Sequence, residues 1–189
     1  TRYWDHCTAL YRTIDEAVRK KALPLLRAAV RHPKPGDEGG GVLLACFHGL
    51  QDGLRPHRLE AVELHFSPFT SLATSADPAR QTPMLLLHHT FEFAASHRLH
   101  NPAFSDEENR QAFGKCNNPH GHGHNYVLRV TLRGGPEGQD AVLGIDELER
   151  IVEERVIEPF DHRHLNLEIP EFASLNPSVE NIARVVFEK

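Results

Sequence analysis

Apolar residues recur at steps of three and four through Leu10, Ile14, Ala17, Val18, Leu25, Leu26 and Ala29. That spacing stacks them on one face of a helix, so a helix is predicted over residues 5–31, capped by Asp5 or Thr8. Pro24 falls inside the pattern; lacking an N–H and clashing one turn back, it predicts a kink or two shorter helices. The stretch HPKPGDEGGG from His32 to Gly41 reads as loop. Two strands are predicted next, Val42 to His48 and Leu59 to Ser67, joined by GLQDGLRPH. In the second, Val62, Leu64 and Phe66 alternate with Glu63 and His65, the period of a half-buried strand. SPFTSLATSADPARQTP, residues 67–83, reads as a linker and the best domain boundary in the chain.

Beyond that boundary, Met84 to Ala95 is a strand, and MLLLHHTFEFAASH carries its run to His97, with Phe91, Phe93, Ala95 and His97 at one parity. Asn101 to Asn117 is a polar excursion with a helical turn around Asp106 to Phe113. A second strand, His124 to Arg133, sets Tyr126, Leu128, Val130 and Leu132 on one face, and Gly134, Gly135 and Pro136 end it. Ile145, Leu148, Ile151, Val152, Val156 and Ile157 have helical spacing up to Pro159. FDHRHLNLE follows as a loop, and a last helix opens at Ser178, its cap, and runs to Glu188.

Composition narrows the possible functions. The formal charge is −5 with Lys and Arg scattered, which gives no basic footprint for nucleic acid. No run approaches the roughly 20 apolar residues of a membrane span, and the first residues lack the apolar core of a secretion signal, so a soluble, cytoplasmic protein is expected. Cys7, Cys46 and Cys116 are an odd number at unrelated spacings, which argues for reduced thiols. Fourteen histidines are a heavy load for 189 residues and raise the weight of metal or proton chemistry.

The chemistry gathers between Phe93 and Tyr126. His122 and His124 stand two apart and project from one face of an extended strand. Pairing that strand with the run ending at His97 brings three imidazoles together. Three nitrogen ligands without a fourth protein ligand is the pattern of a catalytic zinc, which keeps a position open. His120 shares the parity of the pair, but a fourth protein ligand would close the site, so it is read as a decoy or weak ligand; His89, mid-strand, is read as buried on a sheet face. Cys116 is either an inert thiol or, beside the ion's charge, a thiolate; Cys7 and Cys46 are read as structural. Asp161 and His162 are either a solvated pair or a proton shuttle oriented by its carboxylate.

At these residues the chain becomes recognisable. FAASHRL, FSDEEN, FGKCNNPHGHGHNY, PFDHRHLNLE and NPSVENIA resemble the 6-pyruvoyltetrahydropterin synthase family, which includes 6-carboxytetrahydropterin synthase of queuosine biosynthesis. The likeness runs from about Phe91 onward. It implies an α+β tunnelling fold, an antiparallel sheet with helices on one face, assembled as a homo-oligomeric barrel of trimers, two of which stack. It further implies that His97, His122 and His124 hold Zn2+, that Cys116 is the general base, that Asp161 with His162 completes a proton relay, and that Ser178, Val179 and Glu180 help hold the pterin. The implied reaction eliminates triphosphate from 7,8-dihydroneopterin triphosphate. The spacing from Cys116 to the HGH motif favours the pyruvoyl over the carboxy enzyme; a non-catalytic zinc-containing pterin-binding or scaffolding protein is the rival from another class.

Some positions depart from the pattern. Val179 stands where a threonine is usual, and His120 where an asparagine is. On the likeness, two closing strands and a pterin-anchoring glutamate would follow Lys189. The order helix, strand, strand in the first third is that of the end of such a unit, with Phe66 about where the glutamate would be. Residues 1–75 are therefore read as the C-terminal part of a degenerate first repeat, and residues 84–189 as a zinc-binding repeat lacking its last strands. The alternative is one circularly permuted fold, in which strands 42–48 and 59–67 join the sheet carrying His124.

Overall fold

The structure is a computed structural model that describes residues 2–31, 40–75, 84–134 and 144–189. The chain divides into two compact units, Thr1–His89 with Val130–Gly144, and Thr90–Arg129 with Ile145–Lys189.

In the first unit, α1 (Arg2–Ala17) runs through a π turn at Val18–Ala22 into α2 (Leu23–Arg31). The π turn answers Pro24. The Leu23 N–H reaches back to the Val18 carbonyl, a wider register that relieves the clash a proline ring makes one turn upstream. The helix already includes both expected caps, Asp5 and Thr8. α3 (Gly40–Gly53) follows, and here the sequence expectation fails, because Val42–His48 is helical. Leu43, Cys46, Phe47 and Leu50 are its buried residues, at three and four residue steps, which a strand would have split between two faces. Ala17, Ala22, Cys46, Leu50 and Leu54 form the core, with Val18, Leu26, Val42, Leu59 and Val62 packed against it.

β1 (Ala61–His65) pairs antiparallel with β2 (Thr70–Ser75), from Ala61 opposite Ser75 to His65 opposite Ser71. β2 falls inside the stretch expected to be linker; residues 76–83 of that stretch lie outside the described residues, as do residues 32–39 and 135–143. Its Thr70, Ser71, Leu72, Ala73 and Thr74 are all buried. Small polar residues hold a strand here because both edges are paired: β2 also runs antiparallel to the start of β3 (Met84–His97), from Thr70 opposite His89 to Ser75 opposite Met84. The sheet order is β1-β2-β3-β4, where β4 is His122–Gly134.

In the second unit, α4 (Asp106–Phe113) opens with a full capping box, Ser105 and Glu108 each accepting from the other's backbone N–H. A 3-10 turn, Gly114–Asn117, carries Cys116. α5 (Ile145–Val152) continues through a second π turn, Glu153–Ile157, into α6 (Glu158–Phe160). Pro159 therefore does not stop the helix at once; as with Pro24, a π turn precedes the proline and the chain stays helical to Phe160. β5 (Arg163–His164) and α7 (Leu165–Glu168) replace the expected loop, and α8 (Val179–Glu188) closes the chain. β5 pairs parallel with β3 at Ala95 and Ser96. Phe160 is fully buried, edge-on to both Phe93 (6.1 Å) and Phe172 (6.0 Å), and Leu148, Val152, Val156, Ile182 and Val185 are buried from the helices.

Candidate metal centre

β3 delivers His97 at its last position, and β4 delivers His122 and His124 from its first turn of alternation. The two-residue period places the latter pair on one face. His97 is buried, His122 half-buried and His124 exposed, so the cluster is anchored at one end and open at the other. The Nε2 atoms converge: His122 lies 3.0 Å from His97 and 2.8 Å from His124, and the ring centroids are 4.5–4.9 Å apart.

The His97 Nδ1–H donates to the Pro177 carbonyl at 2.7 Å. That bond fixes the tautomer and turns the Nε2 lone pair toward the other two rings. His122 Nε2 faces two such neighbours and carries at most one proton, so neutral rings cannot satisfy all the contacts among themselves. A cation between them would. These three residues could hold a metal ion, and they fit it by donor type, convergence and a fixed tautomer. Burial foremost, with the neighbouring histidines adding to it, holds the His97 pKa below its ordinary value despite the opposing pull of the Pro177 carbonyl, and neutral imidazole is the metal-binding form.

Gly121 makes the turn into β4 with φ +73°. A Cβ there would sit 2.7 Å from His164 Nε2 and 3.0 Å from the His97 carbonyl oxygen, so the glycine is required by conformation and by space. His120 is exposed and stands outside the cluster; its N–H donates to Asn118 Oδ1. His89 is buried, as expected, and its Nδ1 meets the Thr70 hydroxyl at 2.9 Å.

Cys116 is a free, half-buried thiol, and its carbonyl accepts from the Leu99 N–H at 2.8 Å. Cys46 is buried, and burial pushes its thiol pKa up; the Cys7 side chain lies outside the described residues. Asp161 and His162 are brought together: His162 Nδ1 stands 2.6 Å from Asp161 Oδ2. Asp161 Oδ1 accepts from the Ala94 N–H of β3, and the His162 N–H donates to the Ala94 carbonyl. The Ala94 N–H first, and His162 second, hold the Asp161 carboxyl below its usual value. His162 sits at φ +56°, a region a non-glycine residue adopts only when surroundings enforce it. Its side chain is 83% exposed. Among the described residues no hydrogen bond joins Cys116 to this pair.

Ser178 caps α8, its hydroxyl accepting from the Asn181 N–H. Val179 and Glu180 are exposed on the first turn. The segment before the cap is tied to the end of β3 and the residues just after it: besides the Pro177 contact to His97, the His100 N–H donates to Asn176 Oδ1 at 3.0 Å. Pro177 and Gly121 support the site and were not singled out from sequence. The glycine before an HGH motif was legible as a turn signal; a backbone carbonyl partner leaves no trace in side-chain identity.

An α+β chain whose sheet strands present three histidines able to hold a metal ion defines the class of protein. The family model described as 6-pyruvoyl tetrahydropterin synthase matches residues 86–189, and the chain belongs to that family. The 6-pyruvoyl tetrahydrobiopterin synthases of Poecilia reticulata and Homo sapiens are each 42% identical over 97 residues, 51% of this chain and 66% and 67% of their own lengths. That of Drosophila melanogaster is 40% identical over 109 residues, 57% of this chain and 65% of its own length. The chain thus spans about two thirds of the length of these curated relatives. The solved structure of Caenorhabditis elegans 6-pyruvoyl tetrahydropterin synthase is similar with a TM-score of 0.52 at 38% identity, covering 56% of this chain and 76% of that one.

Proposed function

We propose that the chain is the metal-binding part of a zinc-dependent 6-pyruvoyltetrahydropterin synthase-like lyase that eliminates triphosphate from 7,8-dihydroneopterin triphosphate. The observation that carries this reading is the convergence of three imidazole nitrogens with the His97 tautomer fixed by Pro177. An all-nitrogen donor set suits zinc, which when bound supplies Lewis acidity and an open position for substrate oxygen. Cys116 takes a carbon-bound proton as thiolate. Asp161 stays ionised and orients His162, which holds and returns a proton through the ring nitrogen facing away from the carboxylate. Ser178, Val179 and Glu180 line the pterin; Val179 offers no hydroxyl there.

The assembly belongs to the same proposal: a cytoplasmic homo-oligomeric ring, trimer or stacked trimers. It is supported by β4, which among the described residues has a strand neighbour on one side only. So does the tandem reading, residues 1–75 as the tail of a degenerate first repeat and residues 84–189 as the zinc-binding repeat. Supporting it is the order of two helical segments and two strands, α1 to β2, ahead of two strands and further helices. The permuted alternative put strands 42–48 and 59–67 in the sheet carrying His124: residues 42–48 lie in α3, whereas β1, inside 59–67, belongs to that sheet.

Incubation with 7,8-dihydroneopterin triphosphate and mass spectrometry of the product tests the reading directly. Cys116→Ala is expected to keep zinc and lose turnover by about a hundredfold to ten-thousandfold, the usual worth of a general base. Unchanged turnover removes the cysteine from the mechanism. A 6-carboxy product moves the assignment to the sister enzyme, and zinc without turnover in the full-length protein favours a pterin-binding or scaffolding role.

A further inference from the structure

α3 ends at Gly53, and the chain after it is folded back against the helix. Gln51 pins that turn with both ends of its amide: Nε2 donates to the His57 carbonyl at 3.1 Å, and Oε1 accepts from the Leu59 N–H at 2.8 Å. The backbone closes the same turn, the Leu54 N–H donating to the Leu50 carbonyl and the His57 N–H to the Leu54 carbonyl, both at 2.9 Å. Leu54 is buried in the helical core, so the loop is anchored where it starts, and Pro56 fixes one further φ. On this frame Gln51, Arg55, Pro56, His57 and Arg58 line a surface hollow of about 650 Å³, a volume in the usual range for small-molecule sites.

The lining carries two guanidinium groups and an imidazole, and no carboxylate. Arg55 reaches to Asp52 at 3.2 Å, but the two side chains are 75% and 68% exposed, and such a pair is worth little in water. The side chains of Arg58 and His57 have no hydrogen bond or ion pair among the described residues. Cations do gather at helix C-termini to meet bare carbonyls. Here the Leu50 and Leu54 carbonyls already accept backbone N–H groups, and that role needs neither a hollow nor a pinned loop.

We propose that this hollow binds a small anion carrying a chain of two or three phosphates, its oxygens taken by the forked guanidiniums of Arg58 and Arg55, with Asp52 giving up Arg55 to the ligand. Each fork presents paired N–H donors that match phosphate oxygens, and a hollow of this size with two forks exceeds what a single phosphate fills. The residues lie in the first unit and outside residues 86–189, the part the family model matches. The site therefore stands or falls separately from the lyase reading.

Calorimetric titration with sodium tripolyphosphate at fixed ionic strength, on zinc-loaded and metal-stripped protein, is the test. Saturable one-to-one binding of equal affinity is expected in both. Arg58→Ala should weaken it by about tenfold or more, the scale of a charge-assisted hydrogen bond, and Arg58→Lys should recover only part, since an ammonium keeps the charge without the fork. Asp52→Asn should tighten binding by releasing Arg55. Arg12→Ala removes the same charge from α1, away from the lining residues, and should leave the affinity in place. The substituted arginines are exposed, so melting temperatures should hold. Absence of saturable binding overturns the proposal, as does binding to the zinc-loaded protein alone, which would place the anion at the metal. Unchanged affinity in Arg58→Ala, or equal weakening in Arg12→Ala, overturns it too, the latter by reducing the effect to net charge.

Discussion

His89 and His97 stand at the same parity of β3, and both are buried. Their surroundings separate them. His89 Nδ1 meets a threonine hydroxyl of the neighbouring strand, a pairing contained within sheet and core. His97 Nδ1 is occupied by a backbone carbonyl, and its Nε2 looks at two more imidazoles. One side chain, at one parity and one depth, is a structural hydrogen-bonder in the first place and part of a cluster that could hold a metal ion in the second. The difference lies in what the rest of the chain aims at the second nitrogen: β4 brings His122 and His124 to His97, whereas β2 brings Thr70 to His89.

The largest effect expected from this comparison is on metal content. His97→Ala should take bound zinc from about one ion per chain to near none in elemental analysis, because two remaining histidines make a poor zinc site. His89→Gln should leave zinc unchanged. Loss of zinc from His89→Gln would erase the distinction between the two histidines.

Next in size is a change confined to stability. Leu50→Ala in the helical core around Ala17, Cys46 and Leu54 should lower unfolding free energy by about 2–5 kcal/mol in denaturant titration, the usual cost of an emptied leucine site, with zinc content retained. Smaller again, His89→Gln should cost about 1 kcal/mol through its altered bond to Thr70, read by the same titration.

The smallest effect is electrostatic. Asp161 titrates below its ordinary value in the folded protein. Its contribution to stability is therefore complete above the unfolded-state pKa and is lost as pH falls through the folded-state one. Asp161→Asn should be slightly less stable at neutral pH, and the gap should close in acid; the group is partly exposed, so solvent screens most of the effect. A gap that persists at low pH would assign the loss to the Ala94 hydrogen bond rather than to charge.

Some elements were legible because the signal is local. The helical turn around Asp106 to Phe113 and the Ser178 cap are each signalled within a short local stretch. Val42–His48 was misread as a strand because a short apolar run fits either period; only by carrying the pattern on to Leu50 and Leu54 does the helical step show. β2 was misread as linker for the opposite reason. Thr70–Ser75 has almost no local strand signal and is a strand because β1 and β3 pair with it on both edges.

By itself the sequence determined the HxH pair on one strand face with His97 as third imidazole, and the adjacency of Asp161 and His162, since these follow from residue type and a period of two, while the α+β class came with the family resemblance. Only the tertiary structure decided which nitrogen of His97 is free, that Asp161 and His162 both clasp Ala94, and that the Tyr126 hydroxyl is left buried without a partner among the described residues. Those are facts about partners distant in sequence, often backbone atoms that every residue shares, and no pattern of side chains along the chain encodes them.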